Sequence, residues 1–209
     1  MIGIFIAIAW SLPGQIKTGK EKLLPILSGI VVSLLIALTW IQVSHWKNSI
    51  TLFKHAINVT DAKHLGVATI HAFLGDAYHR EGELGVAISK FKKSLDLDPS
   101  NLYSLNNLAA TLAEQGNLKE GLSYAQKLSR LQPDYTPGLI TMGNILEEIG
   151  KLDQAQIYYE QVLKRDSDSF ENYLNLANIL YRKGNLEGAI PHYKKVIILN
   201  PNLLEAHYN

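Results

Sequence analysis

The feature that most constrains this chain is a self-similarity with a period of 34 residues, running through windows 68–101, 102–135, 136–169 and 170–203. The seventh positions are Leu74, Leu108, Met142 and Leu176, and the eighth are small: Gly75, Ala109, Gly143 and Ala177. The fifteenth are Gly82, Gly116, Gly150 and Gly184, the seventeenth Leu84, Leu118, Leu152 and Leu186, and the twentieth Ala87, Gly121, Ala155 and Ala189. Pro99, Pro133 and Pro201 recur at position 32, where Ser167 is the exception. Each window predicts a helix hairpin. The glycine ends the first helix in a left-handed cap, and the proline stops the second. An Asp, Asn or Ser beside the proline then caps the next helix. Small residues at positions 8 and 20 permit close helix approach, and Phe91, Tyr159 and Tyr193 at position 24 fill the space, with Ala125 leaving the second repeat underfilled. One hairpin cannot bury its apolar face, so stability comes from stacking on neighbours.

This pattern resembles the tetratricopeptide repeat. It implies an all-α fold, an α-solenoid of stacked hairpins, over residues 68–203. Leu204–Asn209 reads as the start of a truncated fifth repeat, and residues 46–67 as a degenerate half-repeat or linker. Cutting the chain after Asn48 separates a piece of net charge +3 from one of −2, so the overall +1 is a cancellation. Leu23–Val43 carries no formal charge and is about 31 Å long as a helix, the thickness of a bilayer's hydrocarbon core. Lys20 and Lys22 flank it on one side, and Trp40, Trp46 and Lys47 on the other. A transmembrane helix at 23–45, in contact with a lipid bilayer, is therefore expected. Residues 1–12 are apolar but too short to span, and read as the tail of a truncated earlier transmembrane helix. The short loop 13–22, with Lys17, Lys20 and Lys22, is expected on the cytoplasmic side, which places the repeats on the exoplasmic (periplasmic or lumenal) side.

The segment Trp46–Ala56, a W-x-N-S-I-T-L-F-x-H-A run between a membrane helix and the repeats, is similar to the junction in the transmembrane and tetratricopeptide-repeat O-mannosyltransferases and their bacterial relatives. That resemblance implies a glycosyltransferase core upstream of Met1, with this chain as a non-catalytic part that recruits acceptor protein. No catalytic motif is present: there is no phosphate-binding glycine loop, zinc-protease helix or nucleophile elbow. No cofactor is implied. There are no cysteines, and the charge balance gives no sign of a nucleic-acid binder. The triplets Asp96-Leu97-Asp98 and Asp166-Ser167-Asp168 fall at repeat ends, where Asp serves as a cap, and the seven- and eight-residue spacing of His64, His71 and His79 does not suit a shared metal.

The remaining candidate site is a surface. First helices of stacked hairpins line a concave face through positions 2, 5, 6, 9, 12 and 13. These supply Asp76, His79, Asn106, Asn107, Asn144, Glu147, Asn175, Asn178 and Tyr181 as residues for a protein or peptide ligand. Asn107 and Asn175 share position 6, resembling the asparagine ladder of O-GlcNAc transferases, with Phe73 and Thr141 interrupting it. An amide suits that task because it offers both a donor and an acceptor to any peptide unit. Arg80 and Arg182 are too few and too far apart for the basic clamp that holds chaperone tails.

Overall fold

A computed structural model describes residues 23–45, 48–60 and 66–201, with side chains of the first helix described over 29–41. Among the described residues the structure is helical throughout. The chain divides into two compact units, residues 1–55 and 56–209. Helix α1 (Leu23–His45) belongs to the first, and α2 (Ser49–Val59) begins in it. Asn48 starts α2 by accepting the Thr51 amide at 2.9 Å, an ordinary N-cap.

Helix α1 has apolar side chains exposed on every side, among them Ile30, Val31, Val32, Leu34, Ile36 and Trp40. Among the described residues, however, no helix is long and apolar enough to cross a membrane. The structure gives residues 23–45 as a helix and does not give them as a membrane crossing. The apolar segment 1–12, the loop 13–22, Trp46, Lys47, His64 and the fifth-repeat opening at 204–209 lie outside the described residues.

The second unit is a stack of four hairpins. They pair α3 (Gly66–Arg80) with α4 (Leu84–Leu97), α5 (Leu102–Glu114) with α6 (Leu118–Leu131), α7 (Thr136–Glu148) with α8 (Leu152–Arg165), and α9 (Phe170–Arg182) with α10 (Leu186–Leu199). Gly82, Gly116, Gly150 and Gly184 all have φ between 75° and 85°, so each reverses the chain in the left-handed region. The amide after each glycine returns to a carbonyl of the last helical turn, as from Asn117 to Leu112 at 2.8 Å and from Asn185 to Leu180 at 2.9 Å, which closes a Schellman motif. Capping of the following first helix varies. Asn101 accepts the Ser104 amide at 2.9 Å, whereas Tyr135 and Ser169 make no side-chain cap bond. Asp98 instead holds the turn by accepting the Ser100 amide and hydroxyl, at 3.0 and 2.7 Å.

The small eighth residue lies beneath the large twenty-fourth of its own repeat. A Cβ on Gly75 would meet Phe91 at 2.8 Å, and one on Gly143 would meet Tyr159 at 2.6 Å. The large residues therefore close the gap inside a hairpin and also the space between repeats: Phe91 shares a buried cluster with Leu105 and Leu108 of the next repeat, and Tyr159 one with Leu176 and Ala177. Ala125, expected to underfill its repeat, is fully buried in one cluster with Ala109 and Met142. Each second helix packs on the following first helix, and first helices also touch one another, α3 with α5 and α5 with α7. That contact puts the first helices on the inner side of the stack.

Candidate functional site

The first helices bring the inner-face residues into a regular register. Thr141 at position 6 donates to Asn106 Oδ1 at position 5 of the preceding repeat, 2.9 Å away. His79 Nε2 lies 2.6 Å from Glu114 Oε2, and Arg182 Nη1 donates to Glu147 Oε1 at 2.5 Å. All three contacts span 35 residues, one more than the sequence period. A side chain thus meets the next repeat one position further along.

At the first two repeats, Arg80 forms an ion pair with Asp76 on the same helix face. The Tyr103 hydroxyl also reaches Asp76; burial pushes the phenol's pKa up, and the neighbouring carboxylate adds to that rise. The Asp76 bond and charge raise the Arg80 pKa further. Phe73, which interrupts the position 6 series, meets Tyr103 edge to face with ring centres 5.7 Å apart. Both rings are exposed, forming an aromatic platform beside the Asp76–Arg80 pair.

At the last two repeats, the buried Tyr159 hydroxyl lies 2.7 Å from Asn144 Oδ1 and 3.0 Å from Glu147 Oε2. Burial holds that phenol far above its usual pKa, and the Glu147 charge reinforces it. Tyr193 repeats the arrangement one repeat later, its hydroxyl donating to Asn178 Oδ1 at 2.7 Å.

The two ladder asparagines differ in their commitments. The Asn107 amide donates to the Tyr103 carbonyl of its own helix at 2.9 Å, which commits one of its two N–H donors and leaves Oδ1 and the other. Among the described residues no hydrogen bond engages the Asn175 side chain. Tyr181 stands 48% exposed, open to a ligand. The structure thus joins Asp76 to Tyr103, His79 to Glu114, Asn106 to Thr141 and Glu147 to Arg182, and does not link Asn107 to Asn175.

Two features escape the sequence reading. The first is the tie between positions 9 and 24, whose only trace is that Asn144 and Asn178 each recur with a tyrosine fifteen residues on. The second is a buried hydroxyl pair, Ser104 donating to Ser94 at 2.7 Å, which pins α5 to α4. Among the described residues no three His, Asp or Glu side chains gather as metal ligands.

A family model described as tetratricopeptide repeat matches residues 140–203, and a second, described as TPR repeat, matches residues 75–116. A search of curated proteins by sequence finds no match. Among solved structures, the thermophilic TPR protein TTC0263 of Thermus thermophilus superposes with a TM-score of 0.63 at 22% identity, over 83% of this chain and 93% of its own. YrrB, described as a TPR protein with an unusual peptide-binding site, gives 0.62 at 22% identity, over 84% and 86%. MamA of Desulfovibrio magneticus RS-1 gives 0.59 at 18% identity, over 66% and 77%. At these identities the likeness is one of fold. The helical array of this chain is a tetratricopeptide-repeat solenoid.

Proposed function

We propose that the array is a protein–protein interaction scaffold that binds an extended protein or peptide segment along the inner face of its first helices. The observation that carries this reading is the surface itself, which offers amide groups at Asn107, Asn144, Asn175 and Asn178 between two exposed aromatic stations, Phe73–Tyr103 and Tyr181. Amides pair with peptide units of any sequence, and aromatic rings take up apolar side chains. A structural relative described as having a peptide-binding site is consistent with such a use of this fold. The test is calorimetry with a peptide selected by display against the folded chain. Asn175→Ala should weaken it by about 1–3 kcal/mol, and Asn107→Ala by less because half of that amide already serves its own helix. Unchanged affinity in both variants, with folding intact, rejects the reading.

A second element of the proposal is a membrane anchor supplied by helix α1. It is favoured by the uncharged run Leu23–Val43 and by apolar side chains exposed on all faces, a pattern that water disfavours. The lysines of the 13–22 loop would then hold the array on the exoplasmic side. Alkaline carbonate extraction tests this: a chain released into the supernatant rejects the anchor.

A further inference from the structure

Position 4 of each repeat is a core column, filled in the second and third repeats by Leu105 and Leu139, both buried. The first repeat places His71 there, 9% exposed, and among the described residues its Nδ1 has no hydrogen-bond partner. A buried polar atom without a partner forfeits its bonds to water, so leucine would serve the packing better. His71 lines a shallow depression with Ser89, Lys90, Lys92, Lys93 and Asp96 of α4. Ser89, Lys93 and Asp96 stand three or four residues apart, which puts them on one face of that helix. Lys92 is paired with Glu120 of the next repeat at 2.8 Å. Among the described residues Lys90 and Lys93 make no ion pair, and their charges act on His71. Burial and those two charges favour the neutral imidazole, which carries a single N–H.

We propose that this depression binds a phosphate group, free or esterified, with Lys90 and Lys93 supplying the charge and His71 Nδ1 and the Ser89 hydroxyl the hydrogen-bond donors. A phosphate group near neutral pH carries a charge of about −1.5 to −2 and strong acceptor oxygens. It answers two unpaired ammonium groups and accepts the ring N–H at once. A carboxylate has one charge and two oxygens, and leaves part of that set unanswered. A metal ion is opposed by three ammonium groups around one imidazole. Asp96, one turn beyond Lys92, opposes an anion and confines it to the Ser89 end of the stripe. None of these residues belongs to the inner-face positions, so the site does not rest on the peptide-binding reading.

The experiment follows the His71 ring signals by NMR as inorganic phosphate is added to the full chain at neutral pH and constant ionic strength. The shifts should saturate in the millimolar range. Lys90→Gln and Lys93→Gln should each weaken binding about fivefold or more, and Asp96→Asn should strengthen it. His71→Leu, which installs the residue of the next two repeats, should weaken binding read from the phosphorus line width, with circular dichroism reporting an intact fold. Acetate should bind about tenfold or more weakly than phosphate. Glycerol phosphate compared with inorganic phosphate distinguishes an esterified group from the free ion, the tighter binder naming the source. Shifts that sodium chloride reproduces, a Kd indifferent to both lysine substitutions, or acetate binding as tightly as phosphate overturn the proposal.

Discussion

The ring of Tyr159 lies directly over Gly143, so close that a Cβ on the glycine would come within 2.6 Å of Cε1. The tyrosine cannot retreat easily, since its hydroxyl is held between Asn144 and Glu147. Gly143→Ala should therefore destabilise the array by about 1–3 kcal/mol, the usual range for forcing a methyl into a packed core. Chemical denaturation followed by circular dichroism measures it. Tyr159→Leu should restore part of the loss in the double variant, because the steric conflict is with that ring.

Gly150 makes the opposite case. Nothing lies within 4 Å of a Cβ built there, yet its φ of +84° is one that side chains avoid. Gly150→Ala should cost about 1–2 kcal/mol from backbone conformation alone. Gly150→Asn should cost less, since asparagine tolerates the left-handed region better than alanine. Equal losses for Ala and Asn would argue against that cause.

Pro191 sits inside α10, where it supplies no amide proton to the preceding turn. Pro191→Ala should raise stability by roughly 1–3 kcal/mol, the regained helical bond outweighing the extra freedom of the unfolded chain. A melting temperature that falls or stays level contradicts this. The substitution lies on a second helix, so peptide affinity on the inner face should not change.

His71 is buried, and among the described residues its Nδ1 has no hydrogen-bond partner. Burial first, and then the charges of Lys90 and Lys93, lower its pKa below the ordinary 6.5. Lys92 and Asp96 line the same shallow depression, and Lys92 is itself paired with Glu120. The unfolded chain therefore takes up a proton near pH 6.5 while the folded chain still resists it. The stabilising contribution of neutral His71 is complete above that pH and is lost as pH falls through the lowered folded value. His71→Leu should make urea midpoints less sensitive to acid as the pH falls below about 6.5. An unchanged pH slope would assign the acid sensitivity elsewhere.

The helices and their glycine caps were legible because a period of 34 records backbone demands directly. Gly82, Gly116, Gly150 and Gly184 recur because no other residue suits a φ near 80° as well. The inner face was legible only as a set of positions. Whether an amide is spent within its helix, as at Asn107, or engaged by no described residue, as at Asn175, depends on what lies one turn away rather than one repeat away. The tie from Tyr159 to Asn144 escapes a column-by-column reading for a similar reason. It joins two columns, and the second repeat has Ala110 and Ala125 in both. Phe73 broke the asparagine series in the sequence, and the fold gives it another task against Tyr103.

The cross-repeat contacts of His79 with Glu114, Thr141 with Asn106 and Arg182 with Glu147 are out of step with the period by one residue. The unit that duplicates is therefore not the unit that makes contact. A repeat copied, deleted or transplanted whole arrives with one half of two different bonds, and its new neighbours must already hold the complementary halves. Shuffling intact repeats cannot freely recombine this inner face. Its chemistry changes through matched substitutions on either side of a junction, so adjoining repeats diverge as partners rather than as copies.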